Sequence, residues 1–297
     1  MIIDNVFNIS PGMERNNIFA NYPFRWYNCS MSDKETIPQE EGVANKVGDG
    51  NKVNDGNKLG DGNKVNESPI PEYSGLLRNH IVEIPKPIEK CGGIRIFGRV
   101  VKSLIFSTDI AIIRNTNADA VLAVYPFTPQ PIISHAIISA SDLPVFCGVG
   151  GGTTTGNRVV RLASDAEFLG AFGVVLNSPT VNNTIKKVAE VIDIPIVITV
   201  VSETEDIAGR IEAGAAILNV SAALKTPWVV EKIKAKFPEI AIIATGGPSD
   251  QTIADTVSAG ADAITWTPPT PGEIFKDMMI RYRNRSEKKK GLNFWRW

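Results

Sequence analysis

From Cys91 onward the chain alternates short apolar runs with amphipathic stretches. The runs fall at 94–97, 120–125, 144–147, 172–176, 194–201, 215–220, 240–244 and 263–266. Runs of this length without polar alternation describe strands buried on both faces. From the second run onward the starts recur every 20 to 28 residues, the length of one strand–helix unit. The stretches between carry helical patterns: 183–192, with apolar residues at Ile185, Val188, Ala189 and Ile192, then 226–237 and 252–259. Strands joined by helices are parallel, because a parallel pair needs a crossover. The pattern predicts an α/β protein, a (β/α)8 TIM barrel over residues 91–283. A doubly wound open sheet is the alternative, and it would place its glycine-rich turn early in the chain. Here the richest glycine turn follows the third apolar run, which favours the barrel.

Several strands are entered through one kind of turn: Leu169-Gly170-Ala171, Ala213-Gly214-Ala215 and Ala259-Gly260-Ala261, with Asn117-Ala118-Asp119 as a variant. A glycine after a helix supplies the left-handed residue that stops it. The first unit fits least well. Ser107-Thr108-Asp109 is a helix N-cap signal in the middle of the expected first helix. Either that helix breaks there, or the first strand lies near 104–106.

Residues 1–90 read as a low-complexity, mostly disordered extension. Aromatic residues are dense over 1–31 without a period. Residues 45–68 form a hexapeptide repeat, NKVGDG-NKVNDG-NKLGDG-NKVNES. One apolar residue per unit cannot build a β-helix core, and one Asp per unit falls short of a calcium loop. Residues 69–90 are a Pro-rich lead-in, and 284–297 are a basic tail expected to be solvated.

Composition narrows the function classes. The chain has 297 residues, 43% hydrophobic, with a formal net charge of −1. Neither nucleic acid nor an anionic membrane is implied as a partner. No long apolar run or basic leader is present, so a soluble cytoplasmic protein is expected. Cys29, Cys91 and Cys147 are too scattered for a disulfide framework or zinc site, and His80 and His135 are too few for a histidine metal centre. No metal site is expected, and the sequence names no cofactor.

In a barrel the chemistry lies just past the strand ends. There the chain is rich in hydroxyls, amides and glycines and poor in charge. GVGGGTTTG, 148–156, offers many backbone N–H groups to an anion. It lacks the lysine of a P-loop and the ribose-binding acid of a dinucleotide fingerprint. A plain loop over the mouth is an equal reading. Thr245-Gly246-Gly247 stands where small barrels hold phosphate, with Thr267 and the turn after it as the second half. Thr270 and Glu273 make a capping box with Pro271 at the first helical position, and that Glu competes with phosphate. The ligand-binding candidates are therefore Gly148, Gly150, Gly151, Thr153, Thr245, Gly246, Gly247 and Thr267. Glu203, read as the only carboxylate near a strand end, is the acid/base candidate, with Asn177 and Asn219 to orient a substrate. Cys147 reads as a buried apolar cysteine rather than a nucleophile.

FCGVGGGTT, FPEIAIIATGG and AGADAITW resemble the small aldolase-type TIM barrels, the class that includes 2-keto-3-deoxy-6-phosphogluconate aldolase and thiamine phosphate synthase. FGRVVKSLIFSTD, RNTNADAVLAVYPFTPQP and TPPT resemble a bacterial TIM-barrel family labelled only as hydrolases. The resemblance covers about two-thirds of the chain. It implies a Schiff-base lysine at about Asn219 and a glutamate at about Ala123; both are missing, so imine chemistry is not expected there. What remains is an enzyme on a small anionic metabolite, phosphorylated or carboxylated, of hydrolase or lyase type. The alternative is a non-catalytic ligand-binding barrel. A homo-oligomer is expected from the class.

Overall fold

The computed structural model describes residues 81–293, and side chains over 81–284. The aromatic segment 1–31, the repeat 45–68, the start of the Pro-rich lead-in, Cys29 and His80 lie outside the described residues. Packed chain begins before the expected boundary at Cys91. The N–H of Val82 donates to the Asn115 carbonyl at 2.7 Å, a 3₁₀ turn spans Lys86–Lys90, and Ile88 is fully buried.

The first apolar run is not a barrel strand. β1 (Ile94–Ile96) and β2 (Arg99–Val101) form an antiparallel hairpin with Ile96 opposite Arg99. Its two-residue turn, Phe97-Gly98, has φ of 45° and 80°. Positive φ at both central residues is the turn geometry that matches strand twist. The first barrel strand is β3 (Ser103–Phe106), where the alternative reading placed it.

The remaining strands follow in order: β4 (Ala120–Ala123), β5 (Val145–Gly150), β6 (Gly173–Leu176), β7 (Ile196–Val200), β8 (Ile217–Val220), β9 (Ala241–Thr245) and β10 (Ala263–Trp266). Every neighbouring pair is parallel, and β10 pairs with β3 to close the barrel. The helices are α1 (Ile110–Ile113), α2 (Pro131–Ala140), α3 (Asn157–Phe168), α4 (Asn182–Ala189), α5 (Ile207–Glu212), α6 (Thr226–Lys236), α7 (Asp250–Ser258) and α8 (Pro271–Asn293). This is a (β/α)8 TIM barrel. α8 runs on through Asn293, into the stretch expected to be a tail. No helix among the described residues is long and apolar enough to cross a membrane.

Strand alternation divides the core in two. Leu104, Leu122, Phe146, Val175, Val197, Ile217, Ile243 and Ala263 fill the barrel axis. Ile94, Ile96 and Val101 of the hairpin join that cluster, so β1 and β2 stopper the N-terminal end. Phe172 bridges plug and axis, edge-on to both Phe97 (5.4 Å) and Phe146 (5.7 Å). The outward residues, among them Ile105, Val121, Cys147, Val174, Ile198, Leu218 and Ile242, pack against the helices.

The turns into strands behave as their sequence predicts. Gly170, Gly214 and Gly260 hold φ of 92°, 107° and 103°, and the alanine after each is buried. Acids add a second tie. The Asp119 carboxylate accepts from the N–H groups of Lys102 and Ser103 and from the Ser103 hydroxyl, at 2.8 to 2.9 Å. Asp262 accepts from Ile242 N–H at 2.7 Å and from Lys234 at 2.8 Å. Both lie before a strand, at the barrel end where such contacts serve stability.

Candidate functional site

One inward step beyond the apolar axis layer, the wall changes chemistry. Alternation brings Phe106, Val124, Gly148, Asn177, Thr199, Asn219, Thr245 and Thr265 toward the mouth. The β7–β10 side is polar: the Asn219 amide donates to the Thr199 hydroxyl at 3.4 Å. Asn219 is 8% exposed and Thr265 5% exposed. Asn219 Oδ1 and Thr265 Oγ1 are buried without a hydrogen-bond partner. Each costs about 1–3 kcal/mol while unsatisfied, so a polar guest at the barrel axis has two waiting partners.

The opposite side opens into two clefts. One, of about 720 Å³, lies between the segments after β3, β4 and β10, with Phe106, Asp109, Tyr125, Asn177, Thr267 and Pro268 in its wall. The other, of about 230 Å³, lies against the glycine loop, with Tyr125, Asn177, Gly148, Gly150, Gly152, Thr153 and Thr154. Val124, Tyr125, Pro126 and Asn177 belong to both.

Tyr125 and Asp109 are ionisable residues of the larger cleft. The Tyr125 oxygen accepts the Gln130 N–H at 2.8 Å, which leaves its own proton available to a guest. Asp109 is the N-cap of α1; its Oδ1 accepts from Ala111 N–H (2.8 Å) and Ile112 N–H (3.2 Å). Its second oxygen has no partner among the described residues. The expectation that Glu203 is the only carboxylate near a strand end is thereby corrected. Placing the first strand at 94–97 put Asp109 inside a helix; with β3 in that role, Asp109 follows its C-terminal end. In sequence Tyr125 ends the second apolar run and stands among the strand-end residues, with nothing beside it to single it out.

The remaining candidates divide. Asn177, Gly148, Gly150, Thr153 and Thr267 line the clefts. Glu203 lines neither; it is half-buried beyond β7, accepting from the Ser202 hydroxyl at 3.3 Å. The neighbouring Glu205 carries the structure there. Its carboxylate accepts from Val201 N–H, the Ser178 hydroxyl and Arg210, and Arg210 also donates to the carbonyls of Ser178 and Thr180. Among the aldolase-matched positions, Asn219 faces the axis, whereas Ala123 points outward into the helix layer. Cys147 also faces outward, and burial pushes its thiol up to about 11. No group of three or more His, Cys, Asp or Glu among the described residues is placed to hold a metal ion.

The three glycine or threonine turns at the mouth differ in what they leave free. After β9, Gly246 N–H donates to the Thr265 carbonyl (3.2 Å), Ser249 caps α7 and Asp250 occupies its first turn. A Cβ on Gly246 would stand 2.8 Å from Ile253 and Ile264, so this glycine lets α7 pack on β10. After β10, the Glu273 carboxylate accepts from Thr270 N–H (2.8 Å) and its hydroxyl (2.9 Å), bonds that hold it below its usual range. After β5 the ladder shifts register between Gly148 and Gly150, and the loop closes by Gly151 N–H to the Thr154 carbonyl at 2.9 Å. Gly151 has φ of 97°, and a Cβ there would overlap the Thr180 hydroxyl.

No family model matches the chain, and no curated protein matches its sequence. Solved structures similar to it include 2,3-dimethylmalate lyase, a PEP mutase/isocitrate lyase superfamily member, with 14% identity over 69% of this chain and 85% of that one, TM-score 0.48. A phosphonopyruvate hydrolase bound to oxalate and Mg++ matches with 11% identity over 65% and 84%, TM-score 0.46. A dihydrodipicolinate synthase from Bacillus anthracis matches with 14% identity over 63% and 77%, TM-score 0.46. The chemistry of the mouth rests on this chain's own residues.

Proposed function

We propose that the barrel mouth is an active site for a small carboxylated or phosphorylated metabolite, of lyase or hydrolase type. The observation that carries this reading is that Asp109 and Tyr125 line one cleft, Asp109 with one carboxylate oxygen unpaired and Tyr125 with its hydroxyl proton uncommitted. Tyr125 donates its proton to a leaving or developing oxyanion, and the free oxygen of Asp109 takes one up. Asn177, at the junction of the clefts, orients the substrate, and Asn219 with Thr265 receives its polar end at the axis. Glu203 has no part in this arrangement. Within the aldolase-type barrels the chain is then a relative of the phosphogluconate aldolase and thiamine phosphate synthase class that works without an imine.

The test is a turnover screen over phosphorylated, keto and hydroxy acids, read by NMR. Tyr125→Phe and Asp109→Asn are expected to lower kcat by about 10²–10⁴ while ligand still binds. Asn serves as well as Asp as an N-cap, so Asp109→Asn leaves α1 intact. If both variants turn over at the native rate, the assignment is wrong. A ligand-binding barrel is the second reading, favoured because no Lys, Arg or His lines either cleft. Saturable binding with no turnover of any acid would select it.

A further inference from the structure

We infer that the anionic end of the ligand is held by the loop between β5 and α3, over Gly152–Thr155, rather than by the turns after β9 and β10. The inference deepens the reading of the mouth as a site for small acids and rests on it. The N–H groups of Gly152, Thr153, Thr154 and Thr155 have no hydrogen-bond partner among the described residues. They lead directly into α3, which has Gly156 at its N-cap, no side-chain cap and no acid in its first turn. Arg158, in that turn, is exposed and makes no ion pair or hydrogen bond among the described residues.

A second observation is independent of the helix end. Thr154 is 6% exposed, forms part of the wall of the 230 Å³ cleft, and its hydroxyl has no partner among the described residues. A hydroxyl left unpaired on a buried residue in the cleft wall, still reached by solvent and beside a row of free amides, is a donor open to an acceptor. The ligand chemistry that satisfies all of them is an oxyanion, carboxylate or phosphate, with several lone pairs on one centre.

Each competing turn already carries a cap and an acid. In α7 the Ser249 hydroxyl accepts the Thr252 N–H, with Asp250 in the first turn; at α8 the Thr270 hydroxyl accepts the Glu273 N–H and the Glu273 carboxylate reaches back to the Thr270 N–H. An anion at either would displace a cap and meet a negative charge. The two clefts share Tyr125 and Asn177, so a small acid anchored in the smaller directs its reacting end toward Tyr125 and Asp109 in the larger.

Inorganic phosphate is the probe, titrated into the full chain and followed by amide shifts and calorimetry. Saturable shifts at Gly152–Thr155 are expected. Gly152→Asp places a carboxylate in the loop without strain, since a Cβ there meets only the Asn177 amide at 3.5 Å. It should weaken phosphate binding by at least about tenfold, and Thr154→Val should weaken it severalfold. Gly272→Asp, an equivalent change at the start of α8, should leave it unchanged. Phosphate binding that survives Gly152→Asp, or that Gly272→Asp abolishes, overturns the placement, as does a titration without saturable shifts in the loop. Turnover decides the enzyme reading separately: a chain that binds phosphate in the loop but turns over no acid loses its activity and keeps this subsite.

Discussion

The Glu205 carboxylate and the Arg210 guanidinium meet at 2.7 Å, with 16% and 9% of their side chains exposed. The pair ties two mouth loops together, because Glu205 also holds Val201 and Ser178 while Arg210 holds the carbonyls of Ser178 and Thr180. Thr180 in turn sits against Gly151, so the network reaches the glycine loop. Removing one partner leaves an uncompensated buried charge. Arg210→Ala is expected to cost about 3–5 kcal/mol in urea unfolding, and Glu205→Ala a comparable amount. A loss below about 1 kcal/mol for both would show that solvent already screens the pair.

Two glycines of the mouth should respond oppositely to one methyl group. Gly246→Ala drives its Cβ to 2.8 Å from Ile253 and Ile264, both in the tightly packed layer between strand and helix. The expected cost is about 1–3 kcal/mol of stability. Gly152→Ala meets only the Asn177 amide at 3.5 Å, an ordinary contact, and should be neutral within about 0.5 kcal/mol. Paired thermal melts decide; equal losses would remove the distinction between a packing glycine and a loop glycine.

The contrast shows what the chain made legible. Ala259-Gly260-Ala261 and its fellows announced strand entries because a helix stop needs a left-handed residue, a local requirement. The run 94–97 looked like a barrel strand because apolar content says that residues are buried and not on which side of the barrel wall. Only pairing with Arg99–Val101 assigns it to the plug. That one shift concealed Asp109. Gly246-Gly247 and GVGGGTTTG look alike as glycine clusters. Their difference lies in which N–H groups find partners: Gly246 N–H meets the Thr265 carbonyl and Thr252 N–H the Ser249 hydroxyl, whereas those of Gly152–Thr155 meet none among the described residues.

Alkaline pH should loosen the outer core. Burial pushes the thiols of Cys91 and Cys147 each up to about 11, Lys102 partly opposing it at Cys91 and a Ser134 hydrogen bond at Cys147. A raised folded-state value means that the stability of the neutral thiols is fully present below the unfolded value near 9 and is lost as pH climbs through about 11. Urea midpoints should therefore fall more steeply in the wild-type chain than in Cys91→Ala/Cys147→Ala between pH about 8 and about 11. Parallel curves would mean that neither thiolate is disfavoured by the fold.

The hairpin plug has a measurable share in the barrel. Ile96 belongs to the axis cluster with Leu104, Phe146 and Val197, and its neighbour across the turn, Arg99, points to solvent. Ile96→Ala should cost about 2–5 kcal/mol, as for other buried isoleucines, whereas Arg99→Ala should stay within about 0.5 kcal/mol. Urea unfolding compares them directly, and a cost under about 1 kcal/mol for Ile96→Ala would mean that β1 and β2 only rest on the barrel end.

Asn219 separates folding from function most sharply. Its Oδ1 is buried and unpaired, and its amide has one long bond to Thr199. A leucine, with the same branching and number of side-chain heavy atoms, removes the unpaired acceptor and adds apolar contacts with the Ile243 layer. Removing the unpaired acceptor removes its desolvation penalty, which outweighs the loss of one long bond to Thr199. Asn219→Leu is therefore expected to hold or raise Tm in the free protein. Ligand stabilisation should fall, because the guest loses its partner at the barrel axis and the Thr199 hydroxyl loses its donor. Tm measured with and without a small acid found by the turnover screen reads both effects in one experiment. A variant that melts several degrees lower without ligand would show that Asn219 is a structural residue with a hidden partner. One that melts higher and still binds as well would place the guest elsewhere in the mouth.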